Sequence, residues 1–200
     1  MNGPGTLRIP VLLGTVRASR QSANVARWVL GELVARSEAS TELIDLDDFH
    51  LPVMEERLSQ HASAPPGATD FAARLARADG LLIVTPEYKG AYPGSLKNAF
   101  DYLDAGVFRR MPIGIATVSA GSFGGVNCLA QLRLVCLAMG GSPLPMTFAV
   151  SNVQKTFDEQ GRLLEPSLAA KLAPFLDELI WHTRAMALGK QADTGPHQNQ

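Results

Sequence analysis

The chain has 200 residues, of which 46% are hydrophobic and 18% are charged, a balance typical of a single globular domain. Its net charge of −1 argues against a nucleic-acid partner, because such binding needs a basic surface. No apolar stretch is long enough to span a bilayer and no secretory signal is visible, so we expect a cytoplasmic protein without a membrane partner.

The residue pattern predicts strands that alternate with helices. In chain order it predicts a strand at 7–13, a helix at 23–36, a strand at 41–46, a helix at 70–78, a strand at 80–84, a helix at 95–103, a strand at 112–118, a helix at 126–139, a strand at 143–150 and a helix at 166–188. Residues 61–69 are expected to form a flexible loop, and Pro174 is expected to kink or divide the last helix. We expect one domain over residues 1–188 and a disordered polar tail over 189–200.

This alternation predicts the fold class. Right-handed crossovers between successive strands give an α/β, three-layer, doubly wound parallel sheet. Five strands favour the flavodoxin-like order 2-1-3-4-5 over the larger six-stranded dinucleotide fold. Ligands bind such sheets beyond the carboxyl ends of the strands, where the strand order reverses. The loops after the first, third and fourth strands are therefore the expected site.

The loop after the first strand is rich in hydroxyls and arginines. Thr15, Ser19 and Ser22 offer hydroxyl donors, and Arg17 and Arg20 add positive charge just before a helix N-terminus. Neither glycine-rich dinucleotide motif nor P-loop motif is present. The donors suit a terminal monophosphate. The alternative is that Ser22 only caps the helix and that the arginines are solvated.

The loop after the third strand, residues 85–94, is rigid. Pro86 and Pro93 fix φ, while Gly90 and Gly94 allow a close approach or a positive φ. Such a loop can direct successive backbone N–H groups at a flat polar ring, such as the pyrimidine edge of a flavin. The alternative is a Pro/Gly-rich surface loop with a buried tyrosine.

Three side chains of this second loop have separate interpretations. Tyr88 or Tyr92 could flank the ring or a nicotinamide. Glu87 is expected to fix the loop by hydrogen bonds rather than to act as an acid or base, because hydride transfer through a flavin needs no side-chain nucleophile.

The third loop, residues 119–125, consists mostly of small residues, and Ser119 and Ser122 could contact the flavin or its ribityl chain. The alternative for this loop is a plain strand-to-helix turn.

The helix at 126–139 is apolar nearly all round, with Gln131 and Arg133 as its strongly polar residues. One face should pack on the sheet and leave a second face for a partner copy, unless the helix is buried deeply in a monomer. Cys128 and Cys136 lie in this helix, too far apart for a disulfide. No cysteine or histidine spacing indicates a metal site.

Three stretches resemble the NADPH-dependent FMN reductase family, which includes quinone, chromate and azo-dye reductases. They are Gly-Thr-Val-Arg at 14–17 with Ser22 and Asn24, Pro-Glu-Tyr-Lys-Gly-Ala-Tyr-Pro-Gly-Ser-Leu-Lys-Asn-Ala-Phe-Asp at 86–101, and 121–125 with Gln-Leu-Arg at 131–133. The resemblance covers residues 7 to about 188.

The resemblance implies a set of cofactor-binding residues. It implies that the FMN phosphate is surrounded by Thr15, Arg17, Ser22 and Asn24. It implies that the isoalloxazine is lined by Pro86, Glu87, Tyr88, Lys89 and Gly90, and on its other side by Ser119, Gly121 and Ser122. Two residues depart from the family pattern, because Lys89 stands where Asn is usual and Thr15 where Ser is usual. A Lys89 side chain turned toward the flavin N1–O2 edge would stabilise the anionic reduced ring, whereas use of its backbone alone would change nothing.

The implied activity is an FMN-dependent NAD(P)H oxidoreductase with no catalytic side chain and no metal. Hydride passes through flavin N5 in ping-pong order to a small acceptor: a quinone, an azo compound, a metal oxyanion or free flavin. Preference for NADPH over NADH follows from the resemblance alone. Members are usually homodimers and sometimes homotetramers. Two alternatives remain: a flavodoxin-like electron carrier, although such carriers are typically strongly acidic, and a binding protein without turnover.

Overall fold

The structure is a computed structural model that describes residues 5–104 and 106–193. The strands are β1 (Leu7–Arg8), β2 (Val11–Leu13), β3 (Ala39–Ser40), β4 (Leu43–Asp45), β5 (Leu81–Pro86), β6 (Pro112–Val118), β7 (Ser142–Pro143) and β8 (Phe148–Val150). The α-helices are α1 (Ser22–Val34), α2 (Pro66–Ala76), α3 (Gly94–Asp101), α4 (Val126–Ala138) and α5 (Pro166–Asp193).

The main sheet has the order β4-β2-β5-β6-β7, and β8 also pairs with β6. Every pairing is parallel, including that of β1 with β3. If β1 with β2, β3 with β4, and β7 with β8 are each counted as one interrupted strand, the order reads 2-1-3-4-5. The predicted α/β fold class is confirmed.

Two of the predicted strands are interrupted in the structure. Residues 7–13 form β1 and β2 on either side of Pro10, which has no N–H to donate to the ladder. Its carbonyl still accepts from the Leu82 backbone N–H at 3.0 Å, so the chain keeps its course. Residues 143–150 are likewise split, with β7 and β8 both lying along β6.

Both faces of the sheet are covered, which explains the continuous apolar runs. One buried cluster joins α1 and α5 to the sheet, and Leu82 and Val84 contribute to it from β5. The other cluster joins α2, α3 and α4 to the opposite face, where Leu81 and Ile83 of β5 lie. Alternate residues of one strand thus serve two cores, as the three-layer prediction requires.

The structure corrects part of the predicted loop at 61–69, because residues 66–69 are helical while 61–65 are not. Helix α2 begins at Pro66, four residues before the predicted start. Proline suits the first turn of a helix, where its missing N–H would have no intrahelical partner. The Pro/Ala composition was therefore the beginning of a helix and not a break.

Helix α5 differs from the prediction at two points. Pro174 does not divide it, and it continues to Asp193, into the predicted disordered tail. Both Pro174 and Ala170 are exposed, so the carbonyl left without a donor can bind water. Residues 194–200 of that tail lie outside the described residues. Within the described part of the chain, no helix is long and apolar enough to cross a membrane.

Candidate functional site

Three loops begin side by side at the carboxyl edge of the sheet. The first loop (residues 14–21) follows β2, the second loop (87–93) follows β5, and the third loop (119–125) follows β6. The Gly14 N–H donates to the Val84 carbonyl at 2.9 Å, and the Glu87 N–H donates to the Val118 carbonyl at 2.9 Å. These are the three loops that the sequence predicted to form the site.

The first and second loops contact each other through side chains. The Thr15 and Tyr88 hydroxyls form a hydrogen bond of 3.1 Å, and the Arg17 guanidinium carbon lies 5.7 Å from the centroid of the Tyr88 ring. Thr15 is buried and Arg17 is exposed. No ion pair of Arg17 is present among the described residues, so its charge is available to an anion.

The residue that follows the first loop carries a buried, unpaired hydroxyl. Ser22 is the first residue of α1 and is 2% exposed, and its Oγ has no hydrogen-bond partner in the described part of the chain. An unpaired buried hydroxyl costs about 1–3 kcal/mol. A phosphate oxygen at this helix N-terminus would satisfy it and would be favoured by the helix dipole. The residues present therefore fit an anionic group.

Asn24, also expected near the phosphate, has a local partner. Its Oδ1 accepts a hydrogen bond from Arg27 Nη1 at 3.3 Å, and the side chain is half-buried. Ser22 and Asn24 are two residues apart on α1 and therefore face different sides of that helix.

Arg20 forms ion pairs with two carboxylates at the end of β4. Its Nη2 lies 2.6 Å from Asp45 Oδ2 and its Nη1 lies 3.1 Å from Asp47 Oδ2. Burial lowers the pKa of Arg20, but the hydrogen bonds and charges of Asp45 and Asp47 outweigh burial and raise it above its ordinary value. The free positive charge that the sequence suggested at this position is thus neutralised, and sequence reasoning did not single out either aspartate.

The second loop contains a tight turn. Tyr88 and Ala91 exchange backbone hydrogen bonds of 2.8 and 3.1 Å, and Lys89 and Gly90 between them have φ of 53° and 78°. Two successive positive φ values define a type I′ turn, in which Asn-Gly is the preferred pair. The N–H groups of Lys89 and Gly90 donate to no group within the described residues. They are available to a polar ring edge, and the space beside Gly90 is open.

The Glu87 carboxylate supports α4. Its Oε2 accepts from the backbone N–H groups of Asn127 at 3.1 Å and Cys128 at 3.0 Å. A carboxylate at a helix N-terminus is stabilising, and here it satisfies two donors of the first turn. This is the structural role expected for Glu87. Burial, reinforced by the Glu87 charge, raises the pKa of the Cys128 thiol to about 12, so the thiol stays protonated.

The third loop needs its paired glycines. Gly124 and Gly125 have φ of 63° and 83°, and a Cβ at Gly124 would lie 2.8 Å from the Ala149 Cβ. The Thr117 hydroxyl donates to the Gly124 carbonyl at 2.5 Å, and the Ser119 hydroxyl donates to the Gly121 carbonyl at 2.8 Å.

The outer part of the third loop is accessible, since Gly121 and Ser122 are both exposed. Gln131 adds a link between elements that the sequence analysis did not anticipate. Its Nε2 donates to the Gly90 carbonyl at 2.7 Å and so joins α4 to the second loop.

The family model for NADPH-dependent FMN reductases matches residues 7–155. A quinone reductase of Pseudomonas putida is 31% identical over 179 residues, 86% of this chain and 90% of that protein. An NAD(P)H-dependent FMN reductase of Schizosaccharomyces pombe is 35% identical over 141 residues, 65% of this chain and 66% of that protein. An NADPH azoreductase of a Bacillus strain is 26% identical over 160 residues, 80% of this chain and 85% of that protein.

Among solved structures, a flavoenzyme NAD(P)H:(acceptor) oxidoreductase from Paracoccus denitrificans superposes with a TM-score of 0.74 at 23% identity. The match covers 90% of this chain and 98% of that one. At this identity the likeness supports the fold, whereas the family is shown by the match over residues 7–155. The chain therefore belongs to the NADPH-dependent FMN reductase family.

Proposed function

We propose that this protein holds FMN at the three loops and uses NAD(P)H to reduce a small acceptor. The observation that carries the proposal is the buried, unpaired Ser22 hydroxyl at the N-terminus of α1. It follows the first loop, which contacts the second loop and its free Lys89 and Gly90 N–H groups. A monophosphate fits the first position, and a flat ring with polar edges fits the second.

The proposed contacts divide between the two ends of the cofactor. The phosphate would be held by Thr15, Arg17 and Ser22, and by Asn24 only if its side chain turns from Arg27 toward the helix N-terminus. The ring and ribityl chain would be held by Pro86, Glu87, Tyr88, Lys89, Gly90, Ser119, Gly121 and Ser122. Within the second group, Glu87 acts on loop geometry, since its carboxylate is bound to the first turn of α4.

The chemistry that FMN supplies when bound is two-electron transfer through N5, from NAD(P)H and then to the acceptor in ping-pong order. The chain itself binds and orients. The N–H groups of Lys89 and Gly90 would stabilise negative charge at the pyrimidine edge. The Cys128 thiol is protonated at neutral pH and is not a nucleophile.

The acceptor class is inferred from the relatives, which include a quinone reductase and an NADPH azoreductase. We propose a quinone or azo compound as acceptor, with metal oxyanions and free flavin as further substrates of the same face. Either NADPH or NADH can serve as donor. A flavodoxin-like carrier without its own NAD(P)H turnover is not favoured, since the family and the relatives are reductases.

We further propose a cytoplasmic homodimer formed through α4, with a homotetramer as a larger assembly. The inner face of α4 is buried at Leu132 and Cys136, as expected, while Leu134 and Leu137 on its outer face are 67% and 57% exposed. Phe123, just before the helix, is 85% exposed. A second copy of the chain would cover this apolar surface.

The test is the visible absorbance spectrum of the purified protein supplied with FMN, before and after NADPH or NADH is added without oxygen. We expect flavin bands that bleach on addition of donor and return when a quinone is added. Bands that persist with both donors would contradict the reductase assignment. The absence of bound flavin would contradict the site itself.

A further inference from the structure

Two buried side-chain polar atoms lack a hydrogen-bond partner in the part of the chain that the structure describes. They are Arg20 Nε and Ser22 Oγ. These atoms belong to residues two apart at the start of α1, and both are hydrogen-bond donors. Unpaired buried donors are rare, and each needs an explanation.

Each of the other two nitrogens of Arg20 has at least one acceptor. Nη2 binds Asp45 Oδ2 at 2.6 Å, and Nη1 binds Asp47 Oδ2 at 3.1 Å and the Arg17 carbonyl at 3.3 Å. The Arg20 side chain is 15% exposed and that of Asp45 is 17% exposed. Asp45 Oδ1 also accepts the Asp47 N–H at 3.1 Å, so the Asp45 carboxylate is itself fixed.

The first loop has few other supports. Ser19 adopts a φ of 57°, a left-handed conformation that is unfavourable for a residue other than glycine. Residues 16–19 are exposed, and the Gln21 side chain makes no capping bond to α1 in the described structure. Apart from the contacts of Thr15 and Arg17 with Tyr88, the ion pairs of Arg20 are therefore the side-chain interactions that hold this loop in the described structure.

We propose that Asp45 and Asp47 are positioning residues that fix Arg20 so that its Nε–H and the Ser22 hydroxyl donate together to the phosphate of the cofactor. The inference rests on the proposed function and adds Arg20 to the phosphate site. The guanidinium acts here by geometry, because its charge is balanced by two carboxylates. Net attraction for the phosphate then falls on Arg17 and the helix N-terminus.

This arrangement makes a prediction opposite to that of simple electrostatics. Asp45→Asn removes a negative charge close to a bound dianion, so charge alone would strengthen FMN binding. If Asp45 orients Arg20, the same change weakens FMN binding, by about tenfold for the loss of one well-placed charged hydrogen bond. Binding of riboflavin, which has no phosphate, stays unchanged.

The experiment measures the dissociation constants of FMN and riboflavin for the wild type, Asp45→Asn, Arg20→Lys and the double variant. Arg20→Lys keeps the charge and loses the planar fork, so it should also weaken FMN and not riboflavin. The double variant should lose no more than the single variants, because both break one unit. Asp177→Asn is the matched control: Asp177 pairs with Arg36 at the far end of α1 at 3.1 Å, and its loss should leave the FMN-to-riboflavin ratio unchanged.

Several outcomes overturn the proposal. Tighter or unchanged FMN binding by Asp45→Asn does so, as do equal losses for FMN and riboflavin, which would mean a general structural role. Additive losses in the double variant would show that Arg20 acts without Asp45. If Asp45→Asn fails to fold, the ratio of the FMN and riboflavin dissociation constants of Arg20→Lys tests the role of the guanidinium instead. Failure of the wild type to bind FMN would instead contradict the proposed function.

Discussion

The polar side chains of the first loop and of Ser22, which follows it, differ in whether the fold supplies them with hydrogen-bond partners. Thr15 is satisfied by Tyr88, and Arg20 is largely satisfied by two aspartates, whereas the Ser22 hydroxyl is buried without a partner. A group of this kind destabilises the ligand-free protein and stabilises the ligand-bound one. Polar groups kept at such a cost are expected at binding sites.

Ser22→Ala should therefore have opposite effects on the free and the bound protein. We expect the free energy of unfolding without FMN to rise by about 1 kcal/mol, because an unpaired buried hydroxyl is removed. FMN affinity should fall by about tenfold. Urea unfolding with and without FMN measures both. Ser119→Ala, which removes a hydroxyl that is hydrogen-bonded to Gly121, should not stabilise the free protein; equal behaviour of the two variants would refute the argument.

Sequence reasoning reached the residue types of this loop but not their partners. The hydroxyls and arginines at 15–22 are visible in the sequence, and Arg17 forms no ion pair among the described residues. Arg20 is bound to Asp45 and Asp47, which are 25 and 27 residues away. Which charge meets which depends on the pairing of β2 with β4, and no local pattern specifies the resulting side-chain contact.

At the scale of elements, α4 combines two roles. Its first turn is fixed by Glu87 and its Gln131 holds the second loop, so the helix supports the site from within. Its outer face presents exposed leucines. The predicted helix, 126–139, ends one residue after the observed α4, because the continuous run of apolar residues marks both ends of the helix.

Leu134→Glu tests whether a second copy covers α4. A charge buried at the centre of an apolar interface should raise the dimer dissociation constant by about a hundredfold or more. Molar mass by light scattering at several concentrations measures this. Val34→Glu, at a residue on α1 that is 65% exposed, is the matched control and should leave the mass unchanged. A wild-type protein that is monomeric at all concentrations would exclude the proposed interface.

Element boundaries show what composition can and cannot predict. Both ends of β6 agree with the prediction, because polar loops on either side of an apolar run mark where the strand begins and ends. The start of α2 was missed, since the prolines and alanines before it are compatible with both a loop and a helix N-terminus. The end of α5 was missed for a similar reason: polar residues after Leu188 continue an exposed helix as easily as they end it.

At the scale of the whole molecule, the site exists only because the sheet forms. About 65 residues separate the first loop from the second and about 25 separate the second from the third, and the loops meet through the register of β2, β5 and β6. The sequence could predict this meeting, since alternating strands and helices imply a parallel sheet with its site at the carboxyl edge. It could not predict the contacts of Glu87 and Gln131 across the loops.

The two buried cysteines make the stability of the whole molecule sensitive to alkaline pH. Burial raises the pKa of each thiol, Cys128 and Cys136, to about 12 from an ordinary value of 9.0. Above pH 9 the unfolded chain loses these protons while the folded chain keeps them, so the free energy of unfolding falls as pH rises toward 12. The slope is at most about 1.4 kcal/mol per pH unit for each thiol.

Replacing both cysteines by alanine should flatten this dependence. Urea unfolding of the wild type and of Cys128→Ala/Cys136→Ala at about pH 7, 9 and 10.5 measures how the free energy of unfolding changes with pH in each protein. These conditions lie below, at and above the ordinary thiol pKa. Below pH 9 the difference between the two proteins should be constant. Parallel curves over the whole range would show that the thiols do not contribute.

The hydrogen bond between Thr15 and Tyr88 has a consequence for how a two-headed ligand binds. It joins loops whose contacting residues are 73 positions apart, one expected to meet the phosphate and the other the ring. A molecule that carries both groups meets two recognition elements already held at a fixed spacing, so its second group binds at a high effective concentration. Riboflavin and inorganic phosphate, offered as separate fragments, each lose rigid-body freedom on binding. Their combined affinity should therefore fall well short of that of FMN, and the gap measures how firmly the two loops are locked together.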